Sequence, residues 1–196
     1  MLRRFRDDES GNAAIEILFC VPIMVWALLS TMVYFDAYHD EAISTRAGLT
    51  IADMVSREDA PITPSYLNAT RQLLRSLTET ENNPDFRITV FEYREPQDDY
   101  RVVWSRNRGW GQNYNDARLA LVKDRLPMMA DATNAILVET RTTYNAPFSV
   151  TVAPFMVQNL EGVEFNSFTV ISPRFASSIC WQQSDDSEPD CNLSDL

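Results

Sequence analysis

The sequence predicts an α+β fold, one long N-terminal helix with a membrane-spanning first half, packed on a small antiparallel sheet. Three observations predict it. An apolar run from Ala13 to Phe35 carries Glu16 as its only charged residue. Ile43, Ala47, Ile51, Met54 and Val55 then recur at helical spacing with no proline among them. Beyond residue 85, short segments alternate apolar and polar side chains with the period of strands.

A helix needs about 20 apolar residues to cross roughly 30 Å of hydrocarbon, and the run from Ala13 to Phe35 suffices. Its flanks change too abruptly from charged to apolar for the core helix of a soluble domain. Trp26, Tyr34 and Phe35 suit a membrane helix, the last two near an interface. Arg3, Arg4 and Arg6 precede the run, and no Lys or Arg follows until Arg46. The positive-inside rule therefore keeps the N-terminus in the cytoplasm and exports the remainder. A secretory signal peptide has a shorter apolar region, about 7–15 residues, with a small-residue cleavage site after it. Here no such site occurs near Asp36–Glu41, and the one small-residue junction, Ser10-Gly11-Asn12, lies before the run.

Glu16 is the informative residue. A carboxylate at the bilayer centre costs roughly 2.5–3.5 kcal/mol on insertion scales and less near a helix end. Such groups are paired or functional, or they snorkel to the headgroups. If the chain is cut after Gly11, the new α-amine of Asn12 lies four residues from Glu16, about one helical turn. The amine of a neighbouring copy can then neutralise Glu16 when spans pack side by side.

The remaining elements follow in order. The span continues as one helix from about Ala13 to Arg57, with at most a kink at Pro22, and measures about 65 Å. Residues 58–64 break it. Thr63 as N-cap and Pro64 at the first helical position start a second helix, which buries Tyr66, Leu67, Thr70, Leu73, Leu74 and Leu77 and closes at Asn82-Asn83-Pro84. Residues 86–94 read as a strand with Phe86, Ile88 and Val90 on one face. A turn at 95–99 leads to a second strand in which Tyr100, Val102 and Trp104 alternate, giving a hairpin. Arg106–Asn115 reads as a solvated loop around Trp110. Asn115 or Asp116 caps a short helix bearing Leu119, Val122 and Leu126, stopped near Pro127. Residues 135–144 form a strand with Ile136 and Val138 on one face. The stretch 147–160 fits either strand or helix, with a helix from near Pro154 preferred. Phe168–Ser172 is the last strand, and Cys180–Leu196 an irregular acidic tail. The arrangement expected is a meander of strands with helices on one face.

The 196 residues carry a formal net charge of −11. The leader's three arginines cancel its three acids and Glu16 supplies one negative charge, so the exported part carries −11 + 1 = −10. Such a surface argues against nucleic acid and anionic headgroups as partners. Arg101, Arg106 and Arg108 beside Trp104 and Trp110 suggest a nucleic-acid or glycan surface, but Asp98, Asp99 and Asp116 offset them. Cys20 lies in the span as a small hydrophobe. Cys180 and Cys191 lie in the exported part, where an oxidising compartment favours a disulfide between them. His39 is the only histidine, which excludes a histidine-based metal cluster. No Walker A, Rossmann, G-x-S-x-G or H-E-x-x-H pattern occurs, so no enzyme and no cofactor is expected. The acidic run Asp185–Asp190 matches no defined calcium loop and reads as a solvated charge run.

The pattern E-S-G-N-A-A-I-E-I-L-F-x-V-P, with a charged leader ending at Gly11 and Glu16 at the fifth position after it, resembles a class III, prepilin-type signal. From Phe5 through Pro22 to Tyr34 the chain resembles the TadE/TadF/TadG-like minor pseudopilins of tight-adherence (Flp, type IVc) pilus systems. The resemblance implies a leader at 1–11, cleavage between Gly11 and Asn12 by a prepilin peptidase, a transmembrane half at 12–35 and an exported α+β domain at 36–196. It implies Glu16 as the assembly carboxylate. The partners implied are other major and minor pilin subunits, an inner-membrane assembly platform and the bilayer. The competing expectation is an uncleaved, single-pass anchored periplasmic assembly factor or sensor domain.

Overall fold

The computed structural model describes residues 12–80, 82–148, 160, 162–184 and 187–191. The expected leader with Gly11, the expected helix from near Pro154 and the last five residues of the tail lie outside them. Helix α1 (Asn12–Ser56) runs unbroken through Pro22. Pro22 lacks an N–H, so the carbonyl of Leu18 loses its main-chain donor, yet the helix continues. Helix α2 (Pro64–Leu77) is capped by Thr63, whose side chain accepts from the Tyr66 N–H. It ends at Leu77, short of the expected Asn82–Pro84 stop, because Thr78 caps it and Glu79 turns away with φ 49°. Its buried side is Leu67, Thr70 and Leu74, whereas Leu77 is exposed.

Four strands follow: β1 (Asp85–Arg94), β2 (Asp99–Arg108), β3 (Asn134–Thr143) and β4 (Glu164–Ile171). Between β2 and β3 lie the short helix α3 (Asp116–Ala120) and a 3-10 turn at Lys123–Arg125. The sheet order is β2-β1-β3-β4, with every neighbouring pair antiparallel. It is therefore not a simple meander: β3 returns to the far side of β1, leaving β2 and β4 as the edges.

The chain divides into two compact units within α1, at His39/Asp40; the second comprises Asp40–Tyr144 and resumes at Val163. In this second unit the last turns of α1 pack on the sheet, and both sheet faces are covered, not one. One face joins Ala47, Ile51, Ala52 and Val55 of α1 and Leu67 and Leu74 of α2 to Phe86, Ile88, Val90, Ile136 and Val138. The other joins Phe91, Tyr100, Val102 and Leu137 to Leu119 and Leu126. The expected alternation in β2 fails at one point. Val90 opposes Trp104 and Phe91 opposes Val102, so Val103 is the extra residue of a β-bulge. The bulge sends Trp104 to the helix face while Tyr100 and Val102 stay on the other.

The approach of α1 to the sheet is close and polar. The Ser44 and Thr142 hydroxyls share a hydrogen bond of 2.8 Å. A Cβ on Gly48 would lie 2.6 Å from Ser167 Oγ and 3.2 Å from Thr140 Oγ1. The end of the helix is held as well. The Arg174 N–H donates to the Ser56 carbonyl at 2.8 Å, and its guanidinium pairs with Asp53 at 2.8 Å.

Candidate functional site

The first unit presents its chemistry on α1. From Ile15 to Leu29 every side chain except half-buried Trp26 is exposed. Leu18 at 68% and Phe19 at 65% are typical. Glu16 aside, none of these residues is charged, so the bare surface is apolar all round the helix. Length and composition make this helix a candidate membrane span near the N-terminus.

Magnitudes favour insertion. Ile15, Ile17, Leu18, Phe19, Val21, Ile23, Val25, Leu28 and Leu29 each contribute about −0.3 to −0.6 kcal/mol at membrane depth, roughly −4 kcal/mol together. Glu16 opposes this by at most ~2.5–3.5 kcal/mol, and by less where it stands, about 6 Å along the axis from Asn12.

Full burial by the chain itself begins at Ser30. Ser30, Val33 and Ala37, 7%, 1% and 8% exposed, share one side of the helix, while Met32, Phe35 and Tyr38 are 66–71% exposed. Counted from Asn12, the stretch before Ser30 measures about 27 Å, close to the thickness of a hydrocarbon core.

The expected site residues fall as follows. Asn12 opens the described helix. Glu16 is exposed one turn later and makes no ion pair among the described residues. Cys20, one further turn along, is an exposed free thiol. Cys180 and Cys191 are joined in a disulfide within the second unit.

The second unit holds a cluster that the sequence reading missed. Arg87 and Glu139, neighbours on β1 and β3, form a buried ion pair, with Nε and Nη2 of Arg87 each 2.7 Å from Glu139 Oε2. Arg87 also donates to the Gln112 carbonyl at 2.9 Å and lies over the rings of Tyr114 and Trp110 at 3.9 and 4.7 Å. The Tyr114 hydroxyl donates to Glu139 Oε1 at 3.2 Å. Burial first, then the Glu139 carboxylate, raises the Tyr114 phenol above its ordinary range. Beside this pair Arg141 donates to Asp85 through Nε at 3.0 Å and lies 5.1 Å from Trp110. Gly109 enters the loop with φ +90°, and a Cβ there would fall 1.8 Å from Asp85 Oδ1. The expected solvated loop is therefore anchored, with Trp110 closing it over two guanidiniums.

Those contacts bear on the Arg/Trp surface suggested by the sequence. Trp104 is buried and its indole N–H donates to the Ile179 carbonyl at 2.6 Å. Arg108 donates to Asn68 Oδ1 at 2.7 Å and to the Pro64 carbonyl at 3.2 Å. Arg106 lies over Trp181 at 4.9 Å, and burial lowers its pKa against an opposing pull from Asp190. A cavity of about 310 Å³ does lie along β2, lined by Arg101, Trp104, Arg106 and residues 113–117. Two of its polar groups are already satisfied. Asp116 accepts from the Val102 N–H at 2.7 Å, and Ser105 Oγ from the Tyr114 N–H at 3.0 Å. Trp104 packs internally on Trp181, and half-buried Trp110 lies against the Arg87 and Arg141 guanidiniums.

Among the described residues, no three His, Cys, Asp or Glu side chains gather as a metal site. No family model, curated protein or solved structure matches the chain.

Proposed function

We propose that this chain is a minor pseudopilin of a tight-adherence pilus, anchored once in the bacterial inner membrane with its N-terminus cytoplasmic and its α+β unit periplasmic. A prepilin peptidase cuts between Gly11 and Asn12. The apolar arm of α1 then packs among other pilin helices, and Glu16 pairs with the free α-amine of a neighbouring subunit. The observation that carries this reading is the continuity of α1. One helix leaves Ile15–Leu29 bare and apolar, then becomes the spine on which the sheet of the second unit is built. The single carboxylate within the arm supports it, because an intramembrane acid needs a partner. The arginines at positions 3, 4 and 6 support the orientation.

Intact-mass measurement of the membrane-extracted chain tests the cut. The expected mass begins at Asn12, and Gly11→Arg leaves the leader attached. An intact leader on the native chain would assign it instead as an anchored assembly factor. Glu16→Leu is expected to insert normally and to lose filament assembly. Normal piliation in that strain refutes the pairing role.

A further inference from the structure

We propose that the outer edge of β4 is an interaction surface that takes β4 of a second copy of this chain, antiparallel, as an added strand. The proposal requires neither leader cleavage nor a filament. The two edges of the sheet are finished differently. Along β2, three side chains bond the main chain. Asp116 accepts from the Val102 N–H at 2.7 Å, and the Arg106 and Arg108 guanidiniums donate to the Ser105 and Asn107 carbonyls at 2.9 and 3.0 Å. Charged side chains on an edge strand discourage pairing with another chain.

β4 has no such cover. The Tyr144 N–H donates to the Val163 carbonyl at 2.8 Å, and the register with β3 then runs unshifted from Glu164 to Ile171. Main-chain groups of successive strand residues point to opposite sides. Phe165, Ser167, Thr169 and Ile171 therefore bond β3, while Glu164, Asn166, Phe168 and Val170 turn their N–H and C=O groups outward. Among the described residues no hydrogen bond meets those outward groups. Glu164 is the only charged residue of β4, which holds no lysine and no proline. Phe165, Phe168, Val170 and Ile171 are each only half-buried. An edge of this composition is a template for a further strand.

Charge selects the orientation. Parallel pairing in register would set the two Glu164 carboxylates on adjacent strands, about 4.8 Å apart. Antiparallel pairing of Glu164 with Val170 and of Asn166 with Phe168 uses all four outward residues, and each pair exchanges two main-chain hydrogen bonds. The carboxylates then lie roughly 20 Å apart, the run from Glu164 to Val170 at about 3.4 Å per residue, well beyond the Debye length of about 8 Å. The two-fold axis passes at Ser167, so one surface serves both copies.

Sedimentation of the full chain in detergent, with residue-resolved hydrogen exchange, tests this. A reversible dimer is expected, in which the amides of Asn166, Phe168 and Val170 exchange about 10-fold more slowly in concentrated than in dilute chain. Asn166→Pro removes an outward N–H without touching the β3 ladder and should abolish that slowing. Asn166→Lys, which brings two cations to roughly 7 Å across the axis, should do the same. Tryptophan emission checks that both variants keep the fold. Fast exchange of these amides in the concentrated chain overturns the proposal, as does slowing that survives both variants. Equal protection at every dilution in a monomer overturns it too, since the chain would then cover its own edge.

Discussion

Replacing Gly48 by alanine gives a test whose sign alone discriminates. In a helix interior free of neighbours, alanine is more favourable than glycine by about 0.8–1 kcal/mol. Gly48 has neighbours. The added Cβ would lie 2.6 Å from Ser167 Oγ, 3.0 Å from Ser167 Cβ and 3.2 Å from Thr140 Oγ1. The hydroxyl can rotate away, but the Ser167 Cβ is fixed to β4, so the helix must move off the sheet by several tenths of an ångström. That shift stretches the Ser44–Thr142 hydrogen bond, now 2.8 Å, and loosens Ile51, which is fully buried. Overpacking of this kind costs about 1–3 kcal/mol. The clash outweighs the propensity gain, and Gly48→Ala should destabilise the second unit by about 1–2 kcal/mol. Denaturant melts of the full chain in micelles, followed by tryptophan emission, measure the difference. Ser167→Gly in the same chain removes the opposing Cβ and should recover most of the loss, a coupling of about 1 kcal/mol. If Gly48→Ala raises the midpoint, α1 does not lie this close to β3 and β4, and the account of the interface is wrong.

Two further outcomes follow from buried groups. Arg87→Met leaves Glu139 buried without its cation and should cost about 3–5 kcal/mol, whereas Arg87→Met with Glu139→Leu should recover much of it; additive losses in the denaturant midpoints would refute the pairing. Tyr66 carries a buried phenol oxygen, and burial, followed by the Glu58 carboxylate beside it, raises its pKa. A raised tyrosine pKa stabilises the fold below the unfolded value of about 10, and this contribution is lost as pH climbs above it. Tyr66→Phe should therefore flatten the alkaline side of the stability profile. An unchanged slope above pH ~10 in thermal melts would remove this tyrosine from the account.

The parts of the fold legible in the sequence are those set by local pattern. Phe86, Ile88 and Val90 share a strand face because the period of two is unbroken there. Thr63-Pro64 marks a helix start because both residues act on groups within their own turn. The Val103 bulge was not legible. One inserted residue reverses the facing of everything after it, and nothing in Tyr100-Arg101-Val102-Val103-Trp104 marks where the insertion falls. The sheet order was illegible for a similar reason. Pairing β3 with β1 rather than with β2 depends on partners some fifty residues apart, such as Arg87 with Glu139.

The candidate sites divide along the same line. The apolar arm of α1 was legible as a candidate membrane span because length and composition alone define one, and both are local. The polar contacts were not. Ser44 meets Thr142 across 98 positions, and Gly48 meets Ser167 across a longer span, so each looks like an unremarkable small residue in its own helix. Strand alternation puts Arg87 and Glu139 opposite Phe86 and Val138, on the face that the expected helices on one side would leave bare. That inference assumes a bare second face, yet residues 109–115 and α3 cover it. Covering that face turns an outward charge into a buried one, and a buried cation requires a carboxylate close by. The same reasoning, run forward, bears on Glu16. It is exposed and makes no ion pair among the described residues, so under the proposed pseudopilin reading its partner comes from a neighbouring helix, and Glu16→Leu tests assembly rather than folding.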